Sequence, residues 1–266
     1  MIFYNYFQKI GGVIIDSDVE KLIESFKKIS KKGLIKSISN SFGSIGLTFE
    51  KELGKKFDAL YFPDYYGIEI KCTSRFSKYP LYLFTIAFDG PTFPEINRIV
   101  EKYGWYDKDY IDKKVLFTNF HYNQKTLVNS KYFFNLEFND SKEKLYLCVY
   151  DLKDNLIERK SFVYTKSIYN HICLKLNKLA IVHATTNKIN NKKYFKYYSI
   201  DIYNLISFNK FLELLKSDNI DVSLIARMNK SGADAGRYRN KNLVFSIKKE
   251  KIELLFNKIY SYNIYK

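Results

Sequence analysis

The chain has 266 residues, with 44 lysines and arginines against 28 aspartates and glutamates and a formal net charge of +16. That length admits one large domain or two lobes around a buried core, and the charge predicts a polyanionic partner, in the first instance nucleic acid, although AT-rich codon usage would supply part of it. Cys72, Cys148 and Cys173 are an odd set at unrelated spacings, which excludes a disulfide framework or zinc cluster. No apolar run nears the ~20 residues of a membrane span and residues 1–9 lack a leader pattern, so no membrane and a reducing cytoplasm are expected.

In chain order, residues 18–32 place Val19, Leu22, Ile23, Phe26 and Ile29 at helical intervals and end near Gly33, predicting an amphipathic helix. The Ser- and Gly-rich stretch 35–46 offers hydroxyls either to phosphate or to turns. Residues 46–54 read as a short helix with Phe49 and Leu53 on one face and Gly54 suited to the position just past its end. Next comes Pro63-Asp64-Tyr65-Tyr66-Gly67-Ile68-Glu69-Ile70-Lys71. Ile68 to Cys72 alternates apolar and charged residues, the pattern of a half-buried strand, so Glu69 and Lys71 share a face roughly 7 Å apart. Gly67 tolerates the backbone angles of a tight turn, through which Asp64 folds back toward Glu69. Two carboxylates so placed make a hard-ligand site for magnesium, and Lys71 would hold or activate an attacking water, as a metal-dependent nuclease requires.

Further on, residues 79–85 predict a strand with Pro80 at its start, and residues 91–106 a loop and short helix containing the only tryptophan, Trp105. Residues 116–126 and 132–138 alternate like strands, and 145–150 pairs with 156–164 across Asp154-Asn155. Residues 168–177 look helical, 179–184 return to strand with His183 near its end, and the run 187–193 reads as compositional bias. Residues 207–216 carry Phe208, Phe211, Leu212 and Leu215 at core spacing on a helix, and 220–227 with 239–245 form a basic hairpin closing the sheet. Gly232 and Gly236 suit a mobile tip that orders on DNA.

Asp-Glu-x-Lys is a loose pattern, which a solvated strand face carrying an ion pair also satisfies. Asp154 with Glu158-Arg159-Lys160 nearly repeats it. Context separates the two copies. The Gly-x-Thr-Phe-Glu-x-x-Leu-Gly at 46–54, the Pro-Asp-x-x-Gly-Ile-Glu-Ile-Lys at 63–71 and the Leu-Phe-Thr at 83–85 together resemble the MvaI/BcnI family of restriction endonucleases, relatives of MutH. The resemblance continues more weakly through 117–122, Lys178-Leu179 and 194–197, and so covers most of the chain.

That resemblance implies an α/β (mixed α+β) fold: a restriction-endonuclease-like core of a mixed β-sheet flanked by helices, with a β-rich DNA-recognition lobe. A single nuclease domain is expected over 1–266, its catalytic lobe at about 18–180 and its recognition lobe at about 181–266. The family's catalytic set falls on Glu50, Asp64, Glu69 and Lys71, with Mg2+ on Asp64 and Glu69. The implied reaction is hydrolysis of double-stranded DNA at a specific site to 5′-phosphate and 3′-hydroxyl ends, by a monomer paired with a cognate methyltransferase. The alternatives are a MutH-like nickase and a non-catalytic basic nucleic-acid-binding protein. Relatives read bases from the last hairpin through a His-Asp-His-Gly-Thr-x-Phe element, which aligns with 239–245 and has lost both histidines here. Arg227, Arg237, Arg239, Asn240 and Lys241 are candidate DNA contacts, able to read guanine or adenine edges or to bind phosphates only. Ser74 and Arg75, just past the catalytic residues, are candidates for positioning the backbone. His121 and His183 suit either a general base, a place Lys71 already fills, or a structural hydrogen bond. Tyr65 and Tyr66 suit stacking on DNA or plain packing.

Overall fold

The computed structural model describes residues 7–10, 13–41, 43–54, 63–232 and 234–265, without the side chains of residues 7–10, 13–15, 240 and 241. Along the chain lie β1 (Phe7–Ile10), β2 (Val13–Asp16), α1 (Ser17–Lys31), β3 (Ile35–Lys36), α2 (Ser44–Glu52), β4 (Glu69–Ser74) and β5 (Leu81–Ile86). Then come α3 (Glu95–Tyr103), β6 (Trp105–Tyr106), β7 (Lys114–Phe120), β8 (Thr126–Val128), β9 (Tyr132–Asn139), β10 (Lys144–Tyr150), β11 (Leu156–Tyr164) and α4 (Thr165–Tyr169). The last elements are β12 (Lys178–Ile189), β13 (Lys192–Leu205), α5 (Phe208–Lys216), β14 (Ile220–Met228), β15 (Tyr238–Ile247), α6 (Ile252–Leu255) and β16 (Phe256–Asn263). This is the mixed α+β fold that the resemblance implies.

These elements form two compact units, each discontinuous in sequence: residues 1–79, 173–206 and 253–266 in the first, residues 80–172 and 207–252 in the second. The division at 180 expected from chain order does not match them. The cause is topological. β4 pairs with β12 in parallel, and parallel neighbours need a long crossover. Here the crossover holds most of the second unit.

In the first unit the sheet order is β16-β13-β12-β4, with β3 added on β13 and β4 at an edge. Only the β4–β12 pair is parallel, which makes the sheet mixed. One face carries Ile70, Ala180, Val182, Ile200 and Ile202, packed against Val19, Leu22, Ile23 and Phe26 of α1 and Phe49 of α2. Each such large side chain contributes roughly 1.5–3 kcal/mol by leaving water. α1 starts where the sequence places it because Asp16 Oδ1 accepts the Val19 amide at 3.0 Å, satisfying one of the helix's unpaired donors. α2 ends ahead of Gly54, whose φ of +77° is the left-handed stop expected there. The run 187–193, read as compositional bias, is instead the tip of the β12–β13 hairpin. Ile189 pairs with Lys192, and Asn190 and Asn191 both have positive φ, the two-residue turn that matches strand twist.

In the second unit one sheet runs β5-β15-β14-β7-β6 and another β11-β10-β9-β8. The expected β10–β11 hairpin is present. The β14–β15 hairpin is also present, but it lies between β5 and β7 and does not close the sheet that contains β4. Residues 116–126 divide into β7 and β8, and the stretch 168–177 is a short α-helix that widens into a π-helical turn over Asn170–Lys175. The α5 helix opens on Ser207, whose Oγ accepts the Lys210 amide, and buries Phe211 and Leu215 as its spacing predicts.

Candidate active site

The site is built by one tight turn. Tyr65 and Ile68 bond each other's backbone both ways, at 3.0 and 2.9 Å, across Tyr66 (φ +45°) and Gly67 (φ +79°). A two-residue turn of this kind reverses the chain within two positions, so Asp64 is returned opposite Glu69. The Asp64 carboxylate then takes the Ile70 amide at 3.0 Å, a donor on the outer edge of β4.

Glu69 and Lys71 share a face, as the alternation requires, and Lys71 Nζ donates to Glu69 Oε1 at 2.5 Å. Glu69 is only 2% exposed, and its second oxygen, Oε2, is buried and has no hydrogen-bond partner among the described residues. Burial pushes the Glu69 carboxyl pKa upward, Lys71 opposes the rise, and the nearby Asp64 carboxylate adds to it. The ion pair therefore offsets the desolvation of Glu69 only in part.

Glu50 is half-buried on α2, which packs on β4. Burial, followed by the charges of Glu50 and Asp64, holds the Cys72 thiol well above its ordinary pKa. Asp64, Glu69 and Lys71 are brought together on the same edge strand, whereas Glu50 lies on α2, which packs on the other face of that strand. Sequence reasoning missed Lys175. Its Nζ lies 3.7 Å from Glu69 Oε1 at the end of the π-helical turn that leads into β12. No local pattern marks it, because a parallel pairing delivers it from a distant part of the chain.

Among the described residues no group of three or more Asp, Glu, His or Cys forms a metal cage. Asp64 and Glu69 are nevertheless a fitting donor set for Mg2+, which keeps several waters and takes one or two carboxylates. The unpartnered Glu69 Oε2 is the observation that favours a cation, since a buried carboxylate oxygen left unbonded is costly.

The second copy of the pattern is different in kind. Glu158 receives Arg98, Lys102 at 2.7 Å and the Tyr103 hydroxyl at 3.0 Å. Burial alone would raise its pKa, but hydrogen bonds from Arg98, Lys102 and Tyr103 pull it down to about 2. Asp154 pairs with Lys125. Its carboxylates are committed to protein partners, so this copy is a structural ion network. His183 is also hydrogen-bonded within the protein: its Nε2 meets Asp201 Oδ2 at 3.0 Å, and Ser261 donates to Asp201 Oδ1 at 2.6 Å. His121 lies just past β7 in the second unit.

Ser74 ends β4, and Arg75 follows it, exposed, with its amide bonded to Ala184 O at 2.9 Å. Arg227, Arg237 and Arg239 belong to the second unit. Arg227 and Arg239 are cross-strand partners on the β14–β15 hairpin. Arg227 lies 3.7 Å over the Phe117 ring and Arg237 pairs with Asp234 at 3.1 Å. The side chains of Asn240 and Lys241 lie outside the described residues.

Two carboxylates and a lysine thus lie together on the edge strand of a mixed sheet. The family model of the MvaI/BcnI restriction endonucleases matches residues 23–256, and the chain belongs to that family. The solved structure of a restriction endonuclease MvaI–cognate DNA substrate complex matches with a TM-score of 0.84 and 25% identity, covering 94% of this chain and 99% of that one. Restriction endonuclease MvaI in the absence of DNA matches with a TM-score of 0.57 and 21% identity over 92% of this chain and 99% of that one. No curated protein matches.

Proposed function

We propose that the chain is a sequence-specific type II restriction endonuclease that hydrolyses phosphodiester bonds of double-stranded DNA and leaves 5′-phosphate and 3′-hydroxyl ends. The observation that carries this reading is the convergence of Asp64, Glu69 and Lys71 around an unpartnered carboxylate oxygen, in a chain of this family. The similarity to an MvaI complex with cognate DNA supports duplex DNA as the partner.

Asp64 and the Oε2 side of Glu69 would hold Mg2+, which when bound lowers the pKa of its water and stabilises charge on the attacked phosphate. Lys71, fixed by Glu69 Oε1, presents its remaining donors to that water or to a phosphate oxygen. Lys175 keeps a second positive charge beside Glu69 when Lys71 turns to substrate. Glu50 adds a further carboxylate from α2. Ser74 and Arg75 position the backbone past β4. Arg227, Arg237, Arg239, Asn240 and Lys241 contact DNA from the β14–β15 hairpin. The protein works in the cytoplasm as a monomer beside a protecting methyltransferase. Among the described residues no helix is long and apolar enough to cross a membrane.

Asp64→Ala and Lys71→Ala should bind duplex DNA with near-normal affinity and cut it at least a hundredfold more slowly, the scale set by loss of one acid–base group. Magnesium titration on supercoiled plasmid checks the reaction: linear product fits a restriction enzyme, nicked circles alone a MutH-like nickase, and no change a binding protein. Undiminished cutting by both variants would remove these residues from the site.

A further inference from the structure

Two segments that the reading above leaves without a role, the Ser-rich stretch before α2 and the lysine–asparagine run at 187–193, meet in one place. β4 ends its pairing at Ser74 with Ala184, yet β12 runs on through Ile189, five residues or roughly 17 Å beyond. That extension pairs with the start of β13, and β3 joins it there through Tyr194 with Lys36. Lys193 staples the arm: its backbone oxygen accepts the Ser37 amide at 2.8 Å, and its Nζ reaches Asn40 O and Ser41 O, each at 3.3 Å. A cavity of about 230 Å³ opens beside the staple, lined in part by Lys36, Ser37, Asn40, Asn191 and Lys192 and by no acidic residue.

Register fixes which way these lysines face. Side chains in register across neighbouring strands share a face, and alternate residues along a strand return to it. Glu69, Lys71 and Thr73 lie beside Leu179, Ile181 and His183. Two residues beyond His183 comes Thr185, paired with Lys196. Then follow Asn187, paired with Tyr194, and Ile189, paired with Lys192, while Tyr194 also pairs with Lys36. Lys196, Lys192 and Lys36 therefore occupy the face of the sheet that carries Glu69 and Lys71, opposite the face covered by α1 and α2. Among the described residues neither Lys36 nor Lys192 has an acidic partner. Lys192 stands eight residues along the sheet from the level of Lys71, roughly 26 Å, which spans about eight base pairs of duplex.

We propose that this arm is a phosphate-binding clamp, in which Lys36 and Lys192 hold the sugar–phosphate backbone of duplex DNA beyond the scissile bond. The contact carries no sequence information and serves to fix the duplex along the catalytic face. It rests on the reading of DNA as substrate. The side-chain amides of Asn40 and Asn191, which line the same small pocket, add hydrogen-bond donors suited to phosphate oxygens.

The test is the salt dependence of binding to a synthetic DNA duplex of arbitrary sequence, without divalent ions, for wild type, Lys36→Ala/Lys192→Ala, and the control Lys28→Ala/Lys31→Ala on α1. Each phosphate contact contributes about 0.9 to the slope of log K against log salt. The arm double should flatten the slope by about 1.8, and the α1 double should leave it as in wild type. An unchanged slope in the arm double, or an equal loss in both doubles, overturns the clamp. Because binding is read separately from cutting, a flattened slope in a protein that cleaves nothing would keep the clamp and reject the nuclease reading.

Discussion

Glu69 and Glu158 show how differently two buried glutamates can be surrounded. Glu158, 8% exposed, has both oxygens occupied by cationic or hydroxyl donors and a pKa of about 2. Glu69, 2% exposed, keeps one oxygen unpartnered and a raised pKa. A carboxyl whose folded pKa lies above its unfolded value favours folding only while protonated, so its stabilisation is lost as pH rises and its charge is a cost at pH 7. Glu69→Gln removes that charge with almost no change of shape. Thermal unfolding at pH 7 should show a Tm equal to or above wild type, with cleavage abolished. A drop of several degrees would mean that Glu69 is there for stability. The residues at 64, 69 and 71 could be identified in the sequence because a single turn brings them together. Lys175 could not, since nothing near it in the chain announces which strand it will adjoin.

At the scale of elements, the second copy of the acidic pattern belongs to the packing of α3 on β11. Arg98 and Lys102 of α3 reach across to Glu158, and Ser161 donates to Glu95 at 2.6 Å. Removing one partner of such a buried network leaves the other charges uncompensated, so Glu158→Gln should destabilise the protein by about 3 kcal/mol, near the low end of ~3–5 for a broken buried pair. The pH dependence has a definite sign. The folded pKa of about 2 lies below the ordinary 4.5, so the stabilisation is present above 4.5 and is lost as pH falls toward 2. Denaturant midpoints across that window should fall more steeply for wild type than for Glu158→Gln. Parallel curves would show that Glu158 is not held in this way. The helices α1 and α5 and the β10–β11 hairpin could be placed from periodicity and turn residues alone, because caps and alternation are local. The strands β13 and β16 could not, because their pairing is settled by partners far away in the chain.

For the whole molecule, an excess of sixteen positive charges predicts counterion release on binding DNA. With about 6–10 phosphate contacts, affinity for duplex should fall roughly 10³- to 10⁵-fold between 50 and 200 mM salt, as read by fluorescence anisotropy. A flat response would mean that the charge reflects codon usage and not a binding face. The division into units also belongs to this scale: the β4–β12 crossover interrupts the first unit, and a chain-order split misses it.

What the sequence determined by itself was the local chemistry: the tight turn at Tyr66-Gly67, the shared face of Glu69 and Lys71, the helix that carries Glu50 and the family these features resemble. Periodicity and turn preference act over a few residues, and a string of residues displays both directly. Tertiary structure alone decided that Glu69 keeps an unpartnered oxygen while Glu158 does not, that Lys175 stands beside Glu69, and that Lys36 and Lys192 share the sheet face of Glu69 and Lys71. Those outcomes depend on strand order, register and desolvation, which arise only when segments far apart in the chain are packed side by side.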